Sequence, residues 1–221
     1  LKYAALLLAF IWSSLLPAQK QERLTPRFIF SSGIYLSLES VQQNRPDLQW
    51  PDVEAILASN PEKGLARLAA LRRKDNGSVV PPETVYALAR DSMLYVHIEV
   101  DSLEKEVQLF GGLLIQGKYS LYRFERQEMR MVTINAYNPL TGKPFRSGQV
   151  PRKQTVEIWM LYDIVSGAVA ELTRNNVFEW VADDPELLQQ LQSTPTEDID
   201  WGRVLQTYNR RNPVYVGETG E

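Results

Sequence analysis

Cysteine is missing from all 221 residues, and histidine occurs once, at His97. The first absence removes disulfides, thiolate zinc sites, iron–sulfur ligation and cysteine nucleophiles. The second removes multi-histidine metal sites and leaves a single imidazole to act as base for a serine. His97 falls on the less apolar side of a strand pattern and no G-x-S-x-G run occurs, so a strand histidine without catalytic work accounts for it. A large charge of one sign is lacking too. Twenty-four Lys and Arg stand against 27 Asp and Glu, a formal −3. No long basic stretch interleaved with aromatics is present, which argues against a general nucleic-acid-binding protein. After the first 18 residues no run is long and apolar enough to cross a bilayer.

The apolar run that is present, within residues 1–18, reads as a secretory signal. Lys2 gives a positive start, residues 4–12 are apolar, and Ser13-Ser14-Leu15-Leu16-Pro17-Ala18 ends on a small residue suited to cleavage. An uncleaved anchor is the alternative, against which the run is short. A chain exported without cysteine is held together by its core alone. That fits a bacterial periplasm or cell surface better than compartments where small domains lean on disulfides.

Residues 85–172 carry the strand signals. In 93–100, Leu94, Val96, Ile98 and Val100 alternate with Met93, Tyr95, His97 and Glu99. Residues 108–115, 118–124, 129–137, 155–164 and 168–172 follow, with turn chemistry at Gln116-Gly117, at 138–143 and at Ser166-Gly167. No helix-length segment separates them, so the expected class is α+β: a curved antiparallel meander or half-barrel with N-terminal and C-terminal helical covers. The organisation expected is one domain over 19–221 behind the signal. Residues 51–74 read as a helical pair, with Pro51 and Pro61 at first turns and Leu65, Leu68, Ala69 and Arg72 on one face. Ser37 is a candidate cap for a short helix. The span 173–212 reads as three helices, entered at Thr173, at Asp184-Pro185 and at Thr194-Pro195-Thr196-Glu197.

Catalytic and cofactor motifs fail where their chemistry is decided. Gly112-Leu113-Leu114-Ile115-Gln116-Gly117-Lys118-Tyr119 approaches a phosphate loop, but Tyr119 replaces the magnesium-holding hydroxyl and a strand continues where a helix must begin. Asp183, Asp184 and Glu186 are accounted for by helix capping. Glu99, Asp101, Glu104 and Glu106 match no calcium loop. No catalytic, cofactor or metal residue is assigned. Trp50, Tyr95, Tyr119, Tyr122, Phe124 and Tyr137 are candidate binding-surface aromatics, with core packing as the competing role.

Three blocks resemble small secreted proteins of Bacteroidetes-type bacteria: residues 33–40 with Asn44-Arg45-Pro46; Glu171-Leu172-Thr173-Arg174-Asn175 with Asp183-Asp184-Pro185-Glu186-Leu187; and Tyr208-Asn209-Arg210-Arg211-Asn212-Pro213. A fourth, Gly117-Lys118-Tyr119-Ser120-Leu121-Tyr122, resembles their central G-x-Y strand more loosely. Residues 51–74 fall outside the resemblance and read as an insertion. The resemblance implies an envelope address in a Gram-negative bacterium and carries over no functional residue. Bacteria of that group O-glycosylate D-[ST]-apolar sites, so it also implies Ser92 and Ser102 as acceptors. The function expected is a non-enzymatic binding or accessory module for another envelope protein or a glycan, with no cofactor. The alternative is a carboxylate-dependent hydrolase of glycans or peptides, which needs two acids facing each other in a cleft.

Overall fold

The computed structural model describes residues 21–99, 107–137 and 139–217. The signal segment at 1–18, Val100, Asp101, Ser102, Glu104 and Glu106 lie outside the described residues. The fold is α+β, mostly antiparallel strands around a curled six-stranded sheet, with a few helices.

That sheet has the order β2-β5-β6-β7-β4-β3. Its strands are β2 (Gly33–Tyr35), β3 (Val53–Asn60), β4 (Leu65–Arg73), β5 (Ala87–Arg90), β6 (Met93–Ile98) and β7 (Gln108–Gly112). β3 and β4 correct the expected helical pair. Residues 51–74 form a hairpin that adds the outer two strands to the sheet. The physical reason is a β-bulge. Leu57 pairs with Leu68 and Ile56 with Ala70, so Ala69 is an extra residue without a partner. The bulge shifts the period-two phase, so that Ala66, Leu68 and Leu71 are all buried. An i, i+3 spacing made by one bulge imitates a helical face.

One face of this sheet is covered along all six strands and the other over β2, β5 and β6. Ile34, Val53, Leu68, Leu88, Tyr95 and Phe110, one from each strand, meet in a single cluster, as the inside of a curl requires. Tyr35, Ala87, Ala89, Leu94, Val96 and Ile98 project the other way into a second cluster. Tyr95 is therefore core. The β5–β6 turn is Asp91-Ser92, both at positive φ (52° and 65°), the two-residue hairpin that a short polar pair tolerates.

The second layer is a three-stranded sheet, β10-β9-β8, built on a long hairpin. β8 (Tyr119–Tyr137) and β9 (Pro144–Asp163) pair in register from Tyr119↔Asp163 to Ala136↔Arg146, and β10 (Val169–Glu171) joins the base. The expected separate strands at 118–124 and 129–137 are one strand. Their interruption, Glu125-Arg126-Gln127-Glu128, is polar because it leaves the body, not because it turns. At the root, alternation explains aromatics on both sides. Tyr122, Phe124, Ile158 and Tyr162 pack into the curled sheet's outer cluster. Tyr119, Leu121 and Leu161 pack into a third cluster under the C-terminal helices.

Those helices are α2 (Arg174–Trp180), α3 (Pro185–Ser193) and α4 (Trp201–Arg211). Thr173 caps α2 and Asp184 caps α3. α4 begins later than the Thr194-Pro195 signal suggests: Thr196–Asp198 is a single 3-10 turn and Asp200 is the cap. The short helix α1 (Leu38–Gln42) carries a Ser37/Ser40 capping box. A two-stranded pair, β1 (Glu22–Arg23) with β11 (Tyr215–Val216), ties the described ends together.

Candidate binding site

Three of the four blocks singled out in the sequence converge at the root of the long hairpin. Lys118 Nζ donates to Tyr208 Oη at 2.8 Å, and Tyr208 Oη donates to Asp183 Oδ1 at 2.8 Å. The Tyr119 and Tyr208 rings stack at 4.8 Å and 14°. Burial first, then the bond to Asp183, push the Tyr208 hydroxyl well above its ordinary range, so it stays a donor at every physiological pH. Asn209 holds the strand edge from α4. Its Oδ1 accepts from the Tyr119 N–H at 2.9 Å and its Nδ2 donates to the Tyr119 carbonyl at 2.7 Å. A Cβ on Gly117 would lie 2.3 Å from the Asn209 side chain, so only glycine permits that approach. Arg211 closes the set on Asp184 Oδ1 at 3.0 Å and Glu186 Oε1 at 3.3 Å. The Leu187 N–H and then Arg211 hold the Asp184 carboxyl below its usual range. The remaining block is also self-contained: Tyr35 Oη donates to the Ser31 carbonyl at 2.7 Å, and Asn44 Oδ1 accepts from the Ser31 N–H at 2.7 Å. The three converging blocks are a latch that fixes the hairpin's root.

Gly112, which opens the apparent phosphate loop, and Gly111 before it have the same character. A Cβ on Gly111 would sit 2.3 Å from the Tyr122 ring, and one on Gly112 2.3 Å from Met93 Sδ. Gly111 lets the second layer approach the sheet, and Gly112 leaves room for the neighbouring Met93 side chain.

Beyond the root, neither layer continues. Val156, opposite Arg126, is the last side chain of the root to pack on a cluster, and from Gln127 outward both faces of the ribbon are open to solvent. At the strand rise of roughly 3.3 Å per residue, 125–137 carries the hairpin ~40 Å from the body. Large apolar side chains stand exposed along it: Met129 (62%), Met131 (60%), Ile134, Tyr137 (58%) and Leu140 at the tip (94%). Burial corrects the expectation for the surface aromatics. Tyr95, Tyr119, Tyr122 and Phe124 are buried, Trp50 is half-buried with its indole N–H on the Ala89 carbonyl at 2.9 Å, and Tyr137 is exposed on the arm.

The near balance of charge conceals a segregation. Residues 129–155 hold five Lys and Arg and no Asp or Glu. Arg130 and Arg152 are directly opposite partners on one face, a like-charge pairing that disfavours the ribbon in isolation. Glu128 is the one acid beside them. Arg126 Nε donates to its Oε1 at 3.2 Å and Arg130 reaches its Oε2 at 3.4 Å. The Arg126 hydrogen bond, foremost, holds the Glu128 carboxyl below its ordinary range. Lys143, Arg146, Arg152 and Lys153 have no ion-pair partner among the described residues.

Two clefts of about 600 Å³ each flank the arm's root. One, beside the β3–β4 hairpin, is lined by Lys63, Arg67, Arg123, Glu125 and Glu157. The other runs between the root and the β5–β6 hairpin, and its lining includes His97, Glu83, Glu99, Glu171 and Arg126. Its floor carries the Tyr86–Tyr162 hydroxyl pair at 3.0 Å. Burial, then the Tyr86 bond, raise the Tyr162 hydroxyl far out of the titrating range. His97 Nε2 is spent on Gln108 Oε1 at 2.9 Å. No group of three His, Asp or Glu side chains among the described residues is placed to hold a metal ion, and no helix among them is long and apolar enough to cross a membrane. Ser92 is exposed at the tip of its hairpin.

Comparison with protein-family models, curated proteins and solved structures finds no match to this chain.

Proposed function

We propose that this protein is an exported, non-enzymatic binding or accessory module of a Gram-negative cell envelope, and that the β8–β9 arm is the element that engages another envelope component. One observation carries the reading. The arm exposes both faces, with Met129, Met131, Ile134 and Tyr137 in solvent, and adds nothing to the body's three apolar clusters beyond its root. A two-stranded ribbon is marginally stable alone, and exposed apolar side chains set among polar ones mark interaction surfaces. The signal-like segment, the lack of cysteine and the four blocks support the envelope address.

The test is photo-crosslinking in the native envelope. A photoreactive residue at Ile134 yields one reproducible adduct, and the same probe at exposed Ile56 or Val79 on the body does not. Equal patterns from all three positions contradict the proposal.

The acid-lined cleft favours a second reading, a carboxylate-dependent hydrolase of glycans or peptides, with Glu99 and Glu171 as its pair. It requires hydrolysis of envelope glycan or peptide that falls at least about a hundredfold in Glu99→Gln or Glu171→Gln. Turnover unchanged in both variants removes it.

A further inference from the structure

We infer that the arm's occupant is a second copy of this chain, and that the basic distal ribbon of one protomer docks on the acidic helical cover of another. The inference rests on the reading of the arm as a binding element and names its partner.

Both halves of the contact are present on one molecule. The arm's residues 129–155 contain five bases and no acid, and the cover's residues 175–202 contain seven acids and no base. The arm leaves the body at the root under that cover, and its distal residues are exposed and form no ion pair with their own helices among the described residues. On the cover, Asp183, Asp184 and Glu186 are engaged by Lys118, Tyr208 and Arg211, and Asp200 caps α4. Glu179, Glu197 and Asp198 are exposed and have no ion-pair partner among the described residues. Trp180 and Trp201, only partly buried, stand among them. Guanidinium groups bind carboxylates in a fork and stack on indole faces. The Arg130/Arg152 pair, unfavourable alone, is relieved by a carboxylate set between its two members.

Other occupants fit less well. Two arms laid face to face bring bases onto bases. A lipid surface covers one face of a ribbon, whereas apolar side chains here stand on both, Met129 and Met131 on one and Val132 and Ile134 on the other. The ribbon's open backbone edges are also excluded from hydrocarbon. A protein groove covers faces and edges together. Reciprocal exchange closes a dimer, and one-way docking builds a chain.

The experiment is sedimentation velocity on the full chain and two charge-swapped variants over a concentration and salt series, with circular dichroism confirming that each folds. One variant carries Arg130→Glu, Arg146→Glu and Arg152→Glu; the other carries Glu179→Lys, Glu197→Lys and Asp198→Lys. The wild type associates with concentration and dissociates as salt screens the contact. Each variant alone loses about tenfold or more in self-affinity, and a mixture of the two regains it. A wild type that stays monomeric at low salt overturns the inference, as does association that survives both swaps. So does capture of the arm by vesicles of anionic phospholipid without any self-association. In these cases the crosslink at Ile134 still decides whether the arm binds another component.

Discussion

The root of the β8–β9 hairpin and its distal arm are the same two strands in the same register, yet they obey opposite rules. At the root each face is spoken for: Tyr122, Phe124, Ile158 and Tyr162 serve one apolar cluster and Tyr119, Leu121 and Leu161 another. A few residues on, Met129, Met131 and Ile134 face water. Charge behaves likewise. Root ions are paired across elements, Lys118 with Asp183 and Arg211 with Asp184, whereas four of the five distal bases have no ion-pair partner among the described residues. The root is built to be held, and in the proposed reading the arm holds something else.

Substitutions sharpen this contrast in order of size. Tyr208→Ala removes a buried ring, its stack on Tyr119 and its bonds to Lys118 and Asp183, and costs about 3–5 kcal/mol in denaturant unfolding. Gly111→Ala drives a methyl into the Tyr122 ring and costs about 1–3 kcal/mol by the same measurement. Asp184→Ala strips the α3 cap and the Arg211 partner and costs about 1–2 kcal/mol. Asp184→Asn keeps the cap and recovers most of that loss. On the arm, Met131→Ser or Ile134→Thr moves the unfolding free energy by less than about 0.5 kcal/mol. A loss of more than 2 kcal/mol at either arm position breaks the comparison.

The pH dependence follows from the same root. The Asp184 carboxyl is lowered in the folded state, so its contribution is fully present above its unfolded pKa near 4 and lost as pH falls through the lower folded value. Wild-type stability therefore declines in acid. Asp184→Asn flattens that decline below about pH 4 in a urea series, and an unchanged acid slope contradicts the assignment.

The parts legible in the sequence were those governed by local rules. Period-two alternation in 93–98 marks β6, Thr173 and Asp184-Pro185 mark their helices, and Ser37 marks α1. Residues 51–74 misled because the bulge at Ala69 spaces Leu68 and Leu71 as a helix does, and because Leu, Ala and Arg favour helices in isolation. What decides for strand is pairing with β7, a contact across roughly 45 residues that no local window contains. The arm misled differently. Its polar stretch 125–128 separates two strand runs in the sequence, yet strand and partner run straight through it. The surface aromatics could not be sorted because a root with two covered faces alternates no differently from one with a single covered face. The blocks at Asp183, Tyr208 and Gly117 were visible as motifs, but only their convergence in space identifies them as a latch. The acid-free run 129–155 was readable and carries the charge signal that a whole-chain sum erases.

The most direct test of the central claim uses one variant in which Gln127 to Thr155 is replaced by Asn-Gly. Its melting temperature and its partners are read side by side: thermal unfolding in vitro, and affinity capture from the native envelope. The expected result is a melt within a few degrees of wild type, since the deleted residues contribute nothing to the three clusters, and loss of the captured component. A variant that unfolds, or one that keeps every partner, contradicts it.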